Sequence, residues 1–244
     1  MSAAAVSAGA LSDAKIIDSW RSNALAWTAA VRERRIESRI RVTDRAIVEA
    51  VLARAPRSVL DIGCGEGWLG RALAGHGIQV LGIDVVADLI AQANSANSAH
   101  AAHSGGGSAE FRVASYDQLA TGALDFTADA AVCNFSLLGC ESVETVCAAM
   151  PALLGPCGVF IIQTLHPVIA CGQRPYQDGW REGSWAGFSA DFTDPAPWYF
   201  RTLSSWLALL RRHGLRLLEL REPLDARTQQ PASVIFIADM RSGS

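Results

Sequence analysis

One short segment of this sequence combines glycines and acids in a pattern that could bind a ligand. Three glycines alternate with other residues in Val59-Leu-Asp-Ile-Gly-Cys-Gly-Glu-Gly67. Because glycine lacks a Cβ, such a loop turns sharply and lets the backbone lie against a ligand. Asp61 stands ahead of the glycines, and Asp84 ends the next apolar run. An acid ahead of the glycines, as Asp61 is, would repel a pyrophosphate, whereas it suits a cationic ammonium group.

The elements around this loop alternate between strands and helices. Short apolar runs predict strands at 58–62, 79–84, 111–114, 128–133, 158–163, 215–220 and 233–238. Amphipathic spacing predicts helices at 44–53, 68–76, 85–96, 143–154 and 202–213. Continuous apolar strands alternating with helices are typical of an α/β protein whose parallel sheet is covered on both faces.

The glycine segment resembles the first motif of the Rossmann-like (class I) S-adenosylmethionine-dependent methyltransferases. The resemblance extends in order across residues 40–165. It implies a doubly wound, mostly parallel seven-stranded sheet with an antiparallel last strand. It also implies S-adenosyl-L-methionine as cofactor, with S-adenosyl-L-homocysteine as product, bound at the carboxyl ends of the strands. Asp61 would then lie near the methionine amino group, and Asp84 would bind both ribose hydroxyls.

The resemblance implies further cofactor contacts at the ends of the other strands. Ser115 stands where many relatives have an aspartate after the third strand, so Ser115 and Tyr116 are either adenine contacts or ordinary turn residues. Arg39, in the segment before the first strand, would pair with the methionine carboxylate or is an exposed helix arginine. The predicted cofactor residues are Arg39, Asp61, Gly63, Cys64, Gly65, Asp84, Val85, Ser115, Tyr116, Asn134 and Phe135.

Two other functions compete with methyl transfer. Gly65-Glu-Gly-Trp-Leu-Gly70 matches the GxGxxG pattern of NAD(P)-binding oxidoreductases, although it begins inside the turn rather than directly after the strand. A non-catalytic cofactor-binding protein would keep the glycine loop and lack a reachable acceptor pocket. Titration with S-adenosylhomocysteine and NADH separates the methyltransferase and oxidoreductase hypotheses.

The acceptor site is predicted from the least regular part of the chain. His166 follows the fifth strand directly and opens an insertion, residues 165–200, that is rich in aromatic residues. Methyl transfer needs a base only when the acceptor must lose a proton, and His166 is the candidate, or else a structural histidine. Aromatic walls suit a flat, apolar or cationic acceptor, although the same residues could form a small core or a dimer contact. The predicted acceptor residues are Trp20, Trp27, Tyr176, Trp198 and Tyr199.

Composition narrows the class of protein. The chain has 244 residues, 50% of them hydrophobic, and a net charge of −3, so neither global disorder nor nucleic-acid binding through bulk charge is expected. Its six cysteines include no CxxC pair and predict neither a zinc site nor a disulfide framework. The longest apolar stretch, 151–171, carries three prolines and several polar residues, which disfavours a membrane span. We expect a soluble, cytoplasmic enzyme with a small-molecule acceptor, as a monomer or homodimer.

Length favours one domain with an insertion. We predict a disordered leader at 1–15 and a single domain at 16–244. That domain would include an amino-terminal helical lid at 16–55 and the insertion at 165–200 as its acceptor cover. Residues 93–108, rich in small polar residues and glycine, predict a flexible connection.

Overall fold

A seven-stranded sheet forms the centre of the computed structural model, which describes residues 11–100 and 107–240. Its strands are β1 (Ser58–Ile62), β2 (Gln79–Asp84), β3 (Ser108–Val113), β4 (Ala128–Asn134), β5 (Leu154–Thr164), β6 (Leu215–Arg221) and β7 (Val234–Met240). In the sheet they lie in the order β3-β2-β1-β4-β5-β7-β6.

The strand directions bring most carboxyl ends to one edge of the sheet. β1 to β5 pair in parallel with their neighbours, whereas β7 runs antiparallel to both β5 and β6. Strands β1 to β6 therefore all end at the same edge. This arrangement confirms the predicted fold class, including the antiparallel last strand.

The helices pack on both faces of the sheet. They are α1 (Asp13–Arg32), α2 (Asp44–Leu52), α3 (Trp68–Ala74), α4 (Ala87–His100), α5 (Tyr116–Ala120), α6 (Glu141–Leu153), α7 (Pro167–Cys171) and α8 (Leu203–Arg212). On one face, α5, α6 and α8 pack over a core that includes Phe160 and Phe236. On the other face, α2 and α3 cover Val132 and Ile161. Burial on both sides explains why these strands are continuously apolar.

Two predicted irregular segments are helical over part of their length. The leader was predicted to reach residue 15, but α1 begins at Asp13 because the Ser12 hydroxyl accepts a hydrogen bond from the Lys15 amide and caps the helix. Residues 1–10 lie outside the described residues. The predicted flexible connection at 93–108 was wrong for 93–100, which belong to α4, whereas residues 101–106 also lie outside the described part.

The insertion between β5 and α8 has little regular structure. It contains α7 and a two-stranded antiparallel ribbon that pairs Gly179–Arg181 with Trp198–Phe200. At the other end of the chain, a π-helical turn, Arg39–Thr43, leads into α2. In the described ranges, 11–100 and 107–240, no helix is both long and apolar enough to cross a membrane.

Candidate active site

The glycine loop joins β1 to α3 at the carboxyl edge of the sheet. Gly63 has a φ of +73°, and its amide donates to the carbonyl of Ile83 on the neighbouring strand over 2.8 Å. A Cβ at this position would overlap the Cβ of Ser136. Both the left-handed backbone and the close packing therefore require glycine here.

Gly65 links the loop to the acid that ends β2. Its amide donates to Oδ2 of Asp84 over 3.0 Å, and the Val86 amide donates to Oδ1 over 2.9 Å. Burial raises the pKa of Asp84, and these backbone hydrogen bonds oppose the rise. Each carboxylate oxygen has two lone pairs, so the oriented side chain retains acceptor capacity for a ligand hydroxyl.

Asp61 lies on β1 below the glycine loop and is almost fully buried. Its side chain is 1% exposed, and Oδ2 has no hydrogen-bond partner among the described residues. Burial, with a smaller contribution from the nearby Asp84 carboxylate, raises the pKa of Asp61 to about 7. An unpartnered buried carboxylate is costly, and a bound cation would offset that cost.

Arg39 lies in the π-helical turn and is also buried. Its Nε donates to Oδ1 of Asp44 over 2.8 Å, and its guanidinium carbon lies 4.7 Å from the Trp68 ring centre and 5.8 Å from that of Trp27. The Nη2 atom is buried and has no partner in the part of the chain that the structure describes. Arg39 is therefore buried, and the alternative interpretation of an exposed helix arginine was wrong. Its Nη2 group remains available to donate a hydrogen bond to an anion.

The end of β4 supplies a further free polar atom. Oδ1 of Asn134 is buried and unpartnered within the described ranges. The next residue, Phe135, has a φ of +55°, and its amide donates to the carbonyl of Gln163 over 2.8 Å. The Ser136 hydroxyl then donates to the Ile62 carbonyl over 2.6 Å, which ties this turn to the glycine loop.

Comparison with known proteins agrees with this geometry. Residues 59–158 match the family model of the methyltransferase domain. A curated relative, the protein-L-isoaspartate O-methyltransferase of Xanthomonas campestris pv. campestris (strain B100), is 43% identical over 47 residues. That alignment spans 19% of this chain and about a fifth, 21%, of the relative's length. Residues 59–158 of this chain therefore form a methyltransferase domain.

Solved structures support the fold over most of the chain. An S-adenosylmethionine-dependent methyltransferase from Methanosarcina mazei aligns with a TM-score of 0.63 at 20% identity, covering 81% of this chain and 98% of that one. One from Mesorhizobium loti aligns with a TM-score of 0.56 at 22% identity, covering 79% and 95%. At these identities the similarity establishes the methyltransferase fold and not the acceptor.

Helix α1 lies across the glycine loop of this methyltransferase domain. Trp27 Nε1 would be 3.7 Å from a Cβ placed on Gly65, and the Trp20 and Trp27 rings meet edge-on with centres 5.1 Å apart. Trp20 also meets Trp185 of the insertion at 5.7 Å. Helix α1 and residues 165–200 therefore touch each other, and we call them together the cover.

Hydrogen bonds fix α1 in this position. The Asp13 carboxylate accepts from the amides of Cys140 (2.8 Å) and Ser142 (2.6 Å) at the start of α6. Buried Asn23 exchanges two hydrogen bonds with the backbone of Thr193, at 2.7 and 2.8 Å. At its carboxyl end, Arg32 donates to Glu66 over 3.2 Å. The cover is thereby attached both to the start of α6 and to the glycine segment after β1.

Ser115 and Tyr116, the predicted adenine contacts, follow β3. The Ser115 hydroxyl accepts from the Gln118 amide over 3.3 Å and caps α5, which is the structural role of an ordinary N-cap residue. The Tyr116 hydroxyl donates to the Ser136 carbonyl over 3.2 Å, and burial raises the pKa of Tyr116 well above its usual value. The Tyr116 hydroxyl lies beside the glycine loop, 3.0 Å from a Cβ placed on Gly63, and the contact of both residues with adenine stays a prediction.

His166 lies directly after β5 and is 5% exposed. Its Nε2 is 2.7 Å from Oε1 of Glu222, and its Nδ1 is buried without a partner among the residues that the structure describes. The neighbouring residues Leu165 and Pro167 line a cavity of about 20 Å³ together with Trp198. A cavity of this size holds one water molecule.

The predicted acceptor residues fall into two groups rather than one. Trp20 and Trp27 lie on α1, where the Trp20 ring packs against both Trp27 and Trp185 of the insertion. Tyr176, Trp198 and Tyr199 belong to a second group around the ribbon of the insertion, which also contains Trp180 and Phe200. Within that group, the Tyr176 hydroxyl accepts a hydrogen bond from the Leu203 amide at the start of α8.

The sequence analysis assigned no role to two residues that shape the site, Glu222 and Glu66. Glu222 follows β6, far along the chain from His166, and only the sheet order brings the two together. Glu66, 1% exposed, pairs with both Arg32 and Arg71 inside the glycine segment. The one available signal was Glu66 itself, because a charged residue in a buried loop needs a charged partner.

Proposed function

We propose that this protein transfers a methyl group from S-adenosyl-L-methionine to a small-molecule acceptor. The observation that carries the proposal is the set of free, buried polar atoms around the glycine loop. Asp61 Oδ2, Arg39 Nη2 and Asn134 Oδ1 have no partner within the described ranges. A carboxylate and a guanidinium at one edge of a sheet match the ammonium and carboxylate of an amino acid.

The residues present fit the cofactor part by part. Asp61 would receive the methionine ammonium group, and Arg39 would receive its carboxylate. Asp84, held by two backbone amides, would accept hydrogen bonds from the ribose hydroxyls. Cys64, Gly65 and Val85 would contribute backbone contacts, with Ser115 and Tyr116 near adenine. S-adenosylmethionine supplies an activated methyl group on a positively charged sulfur.

The protein's own part in the reaction is to position the acceptor and exclude water. Aromatic residues of the cover provide apolar walls on the acceptor side. His166, buried at the carboxyl end of β5, would accept the proton of an acceptor that must lose one. The small-molecule class rests on the near-neutral charge of the chain and on the closeness of the cover to the glycine loop.

The oxidoreductase alternative is disfavoured by the position of Asp61. A buried carboxylate below the glycine loop would repel a pyrophosphate, whereas its pKa of about 7 would fall when an ammonium group binds. No described feature favours NAD(P) over the methyl donor.

Calorimetric titration tests the proposal directly. We expect S-adenosylhomocysteine to bind with a micromolar Kd and NADH to bind weakly or not at all. Asp84→Ala should weaken binding at least about tenfold, since it removes the ribose acceptors. Asp129→Ala is the matched control, because Asp129 also accepts two backbone amides, at 2.8 and 3.3 Å, but at the amino edge of the sheet. Tight NADH binding, or equal losses in the two variants, would refute the proposal.

A further inference from the structure

The sheet order places a carboxylate next to His166. Strands β5 and β6 flank β7 and run parallel to each other, so the residues that follow them emerge at the same edge. His166 follows β5 and Glu222 follows β6. Their side chains meet with Nε2 2.7 Å from Oε1 of Glu222.

This contact determines which ring nitrogen of neutral His166 carries the proton. A carboxylate only accepts hydrogen bonds when ionised, so Nε2 must be the donor. Nδ1 then keeps its lone pair, and no described residue donates to it. A buried acceptor without a partner destabilises the fold, and a ligand donor at Nδ1 would remove that cost.

The surroundings indicate what kind of donor could approach. Leu165 and Pro167, on either side of His166, line the small cavity with Trp198 and Leu138. Thr164 and Arg201 add polar groups to this otherwise apolar wall, and Leu165 is 41% exposed, so the wall reaches the surface. An acceptor lying against it would be largely apolar and would present a single polar hydrogen to Nδ1.

A second histidine–glutamate pair in the same protein gives an internal comparison. His213 Nε2 also lies 2.7 Å from a carboxylate oxygen, that of Glu144. However, His213 follows α8 and precedes β6, so it lies at the amino edge of the sheet, and its side chain is 18% exposed against 5% for His166. Only the pair at the carboxyl edge combines burial with a free Nδ1.

We propose that Glu222 is a positioning residue that holds His166 as a base through Nδ1, and that the acceptor is an apolar compound methylated on a phenol-like or enol-like hydroxyl. This inference rests on the methyltransferase function proposed above. The hydroxyl proton passes to Nδ1 while the oxygen bonds to the methyl carbon. The methyl–sulfur bond breaks, and its electron pair stays on sulfur, giving a neutral thioether.

The acceptor class follows from the need for a base. A thiolate, a carboxylate or a tertiary amine already has an available electron pair, whereas a neutral hydroxyl is a weak nucleophile until its proton leaves. The Glu222 carboxylate would stabilise the imidazolium that forms, as the acid does in other acid–histidine pairs.

The tautomer can be measured without any acceptor. In protein labelled with ¹⁵N-histidine, His166→Gln identifies the His166 signals among the five histidines. We expect neutral His166 to carry its proton on Nε2, and Glu222→Leu to abolish that preference. A proton on Nδ1, or a preference unchanged in Glu222→Leu, would overturn the positioning role.

Kinetics test the acceptor class. A panel of apolar phenols, thiols, carboxylic acids and tertiary amines is incubated with labelled S-adenosylmethionine. We expect transfer to phenols, with kcat reduced roughly tenfold or more in Glu222→Gln, KM within about twofold, and partial recovery in Glu222→Asp. Glu144→Gln, which alters the matched pair, should keep the wild-type kcat.

The outcomes separate the two proposals. If the wild-type protein does not bind S-adenosylhomocysteine, the methyltransferase function fails. Suppose instead that the wild-type protein and Glu222→Gln bind S-adenosylhomocysteine equally well. Only the present inference then fails if no phenol is methylated, or if kcat is unchanged in Glu222→Gln.

Discussion

Asp61 illustrates how a single residue can oppose stability and favour binding. Its carboxylate is buried, has a free oxygen and has a pKa of about 7. In the absence of a cation, the protein carries the cost of burying this group. A bound ammonium would stabilise the ionised form, so part of the binding energy of a cationic ligand is stored in the unliganded fold.

The first prediction concerns the pH dependence of binding. If the ammonium group of S-adenosylhomocysteine binds ionised Asp61, affinity should fall by roughly tenfold for each pH unit below about 7, because the carboxylate must first lose a proton. Calorimetry between pH 7 and 5.5 measures this. Asp61→Asn should bind about tenfold more weakly at pH 7 and lose most of the pH dependence. A flat wild-type profile would contradict the role of Asp61.

The second prediction concerns stability. The pKa of Asp61 is about 7 in the folded protein, against an ordinary value of 3.8. Its contribution to the free energy of unfolding is therefore fully present below about pH 4 and is lost as the pH rises through 7. Without ligand at pH 8, the free energy of unfolding of Asp61→Asn should therefore exceed that of wild type by about 1–4 kcal/mol. Denaturant unfolding measures this difference. Asp129→Asn, at a more exposed site, should show no such gain. A destabilised Asp61→Asn at pH 8 would disprove the assignment.

Residue types predicted the cofactor side of the site better than the acceptor side. Asp61 and Asp84 could be located from the sequence because Asp61 lies two residues ahead of the first glycine of the loop and Asp84 ends the next apolar run. Arg39 was open to two interpretations, since only tertiary packing on Trp68 and Trp27 distinguishes a buried arginine from an exposed one. Glu222 could not be found, because its partner is fixed by strand order and not by spacing.

At the scale of elements, the strands of the central sheet were predictable and several connecting pieces were not. The seven apolar runs correspond to β1–β7. Burial on both faces leaves a continuous apolar signal in the five inner strands, whereas the edge strands β3 and β6 are partly exposed. Helix α5 was missed because it has only five residues, and Ser115, which caps it, was predicted to be either an adenine contact or an ordinary turn residue. The π-helical turn at Arg39–Thr43 gave no periodic signal, since its extra residue per turn breaks the amphipathic spacing.

The glycine loop allows a prediction that separates backbone strain from packing. Gly63 and Gly77 both have positive φ values, +73° and +84°, but only at Gly63 would a Cβ overlap a neighbour, Ser136. Gly77→Ala should cost about 1 kcal/mol through strain alone, whereas Gly63→Ala should cost at least about 2 kcal/mol more and abolish binding of S-adenosylhomocysteine. Denaturant unfolding of both variants measures the difference. Equal losses would mean that Ser136 yields to the added methyl.

At the scale of the whole molecule, the cover must open for an acceptor to enter. The cavity beside His166 holds a single water, while Trp27 lies over the glycine loop. The cover is attached through α1, which bonds to α6 by Asp13 and to the insertion by Asn23. Opening therefore requires separating Trp20 from Trp185 and breaking the hydrogen bonds that α1 makes with its neighbours, and it leaves the sheet intact.

Asn23 offers the most direct test of that coupling. It is fully buried and makes two hydrogen bonds to Thr193, so Asn23→Ala should loosen the contact between α1 and the insertion, which Ser19 and Lys15 also hold through Asp194. Hydrogen exchange should accelerate about tenfold or more in α1 and residues 185–194 and stay unchanged in β1 and β4, because their core contacts are intact. Thr28→Val is the control, since the Thr28 hydroxyl bonds only within α1. If Asn23→Ala accelerated exchange across the sheet as well, α1 and the insertion would be part of the core rather than a cover that opens.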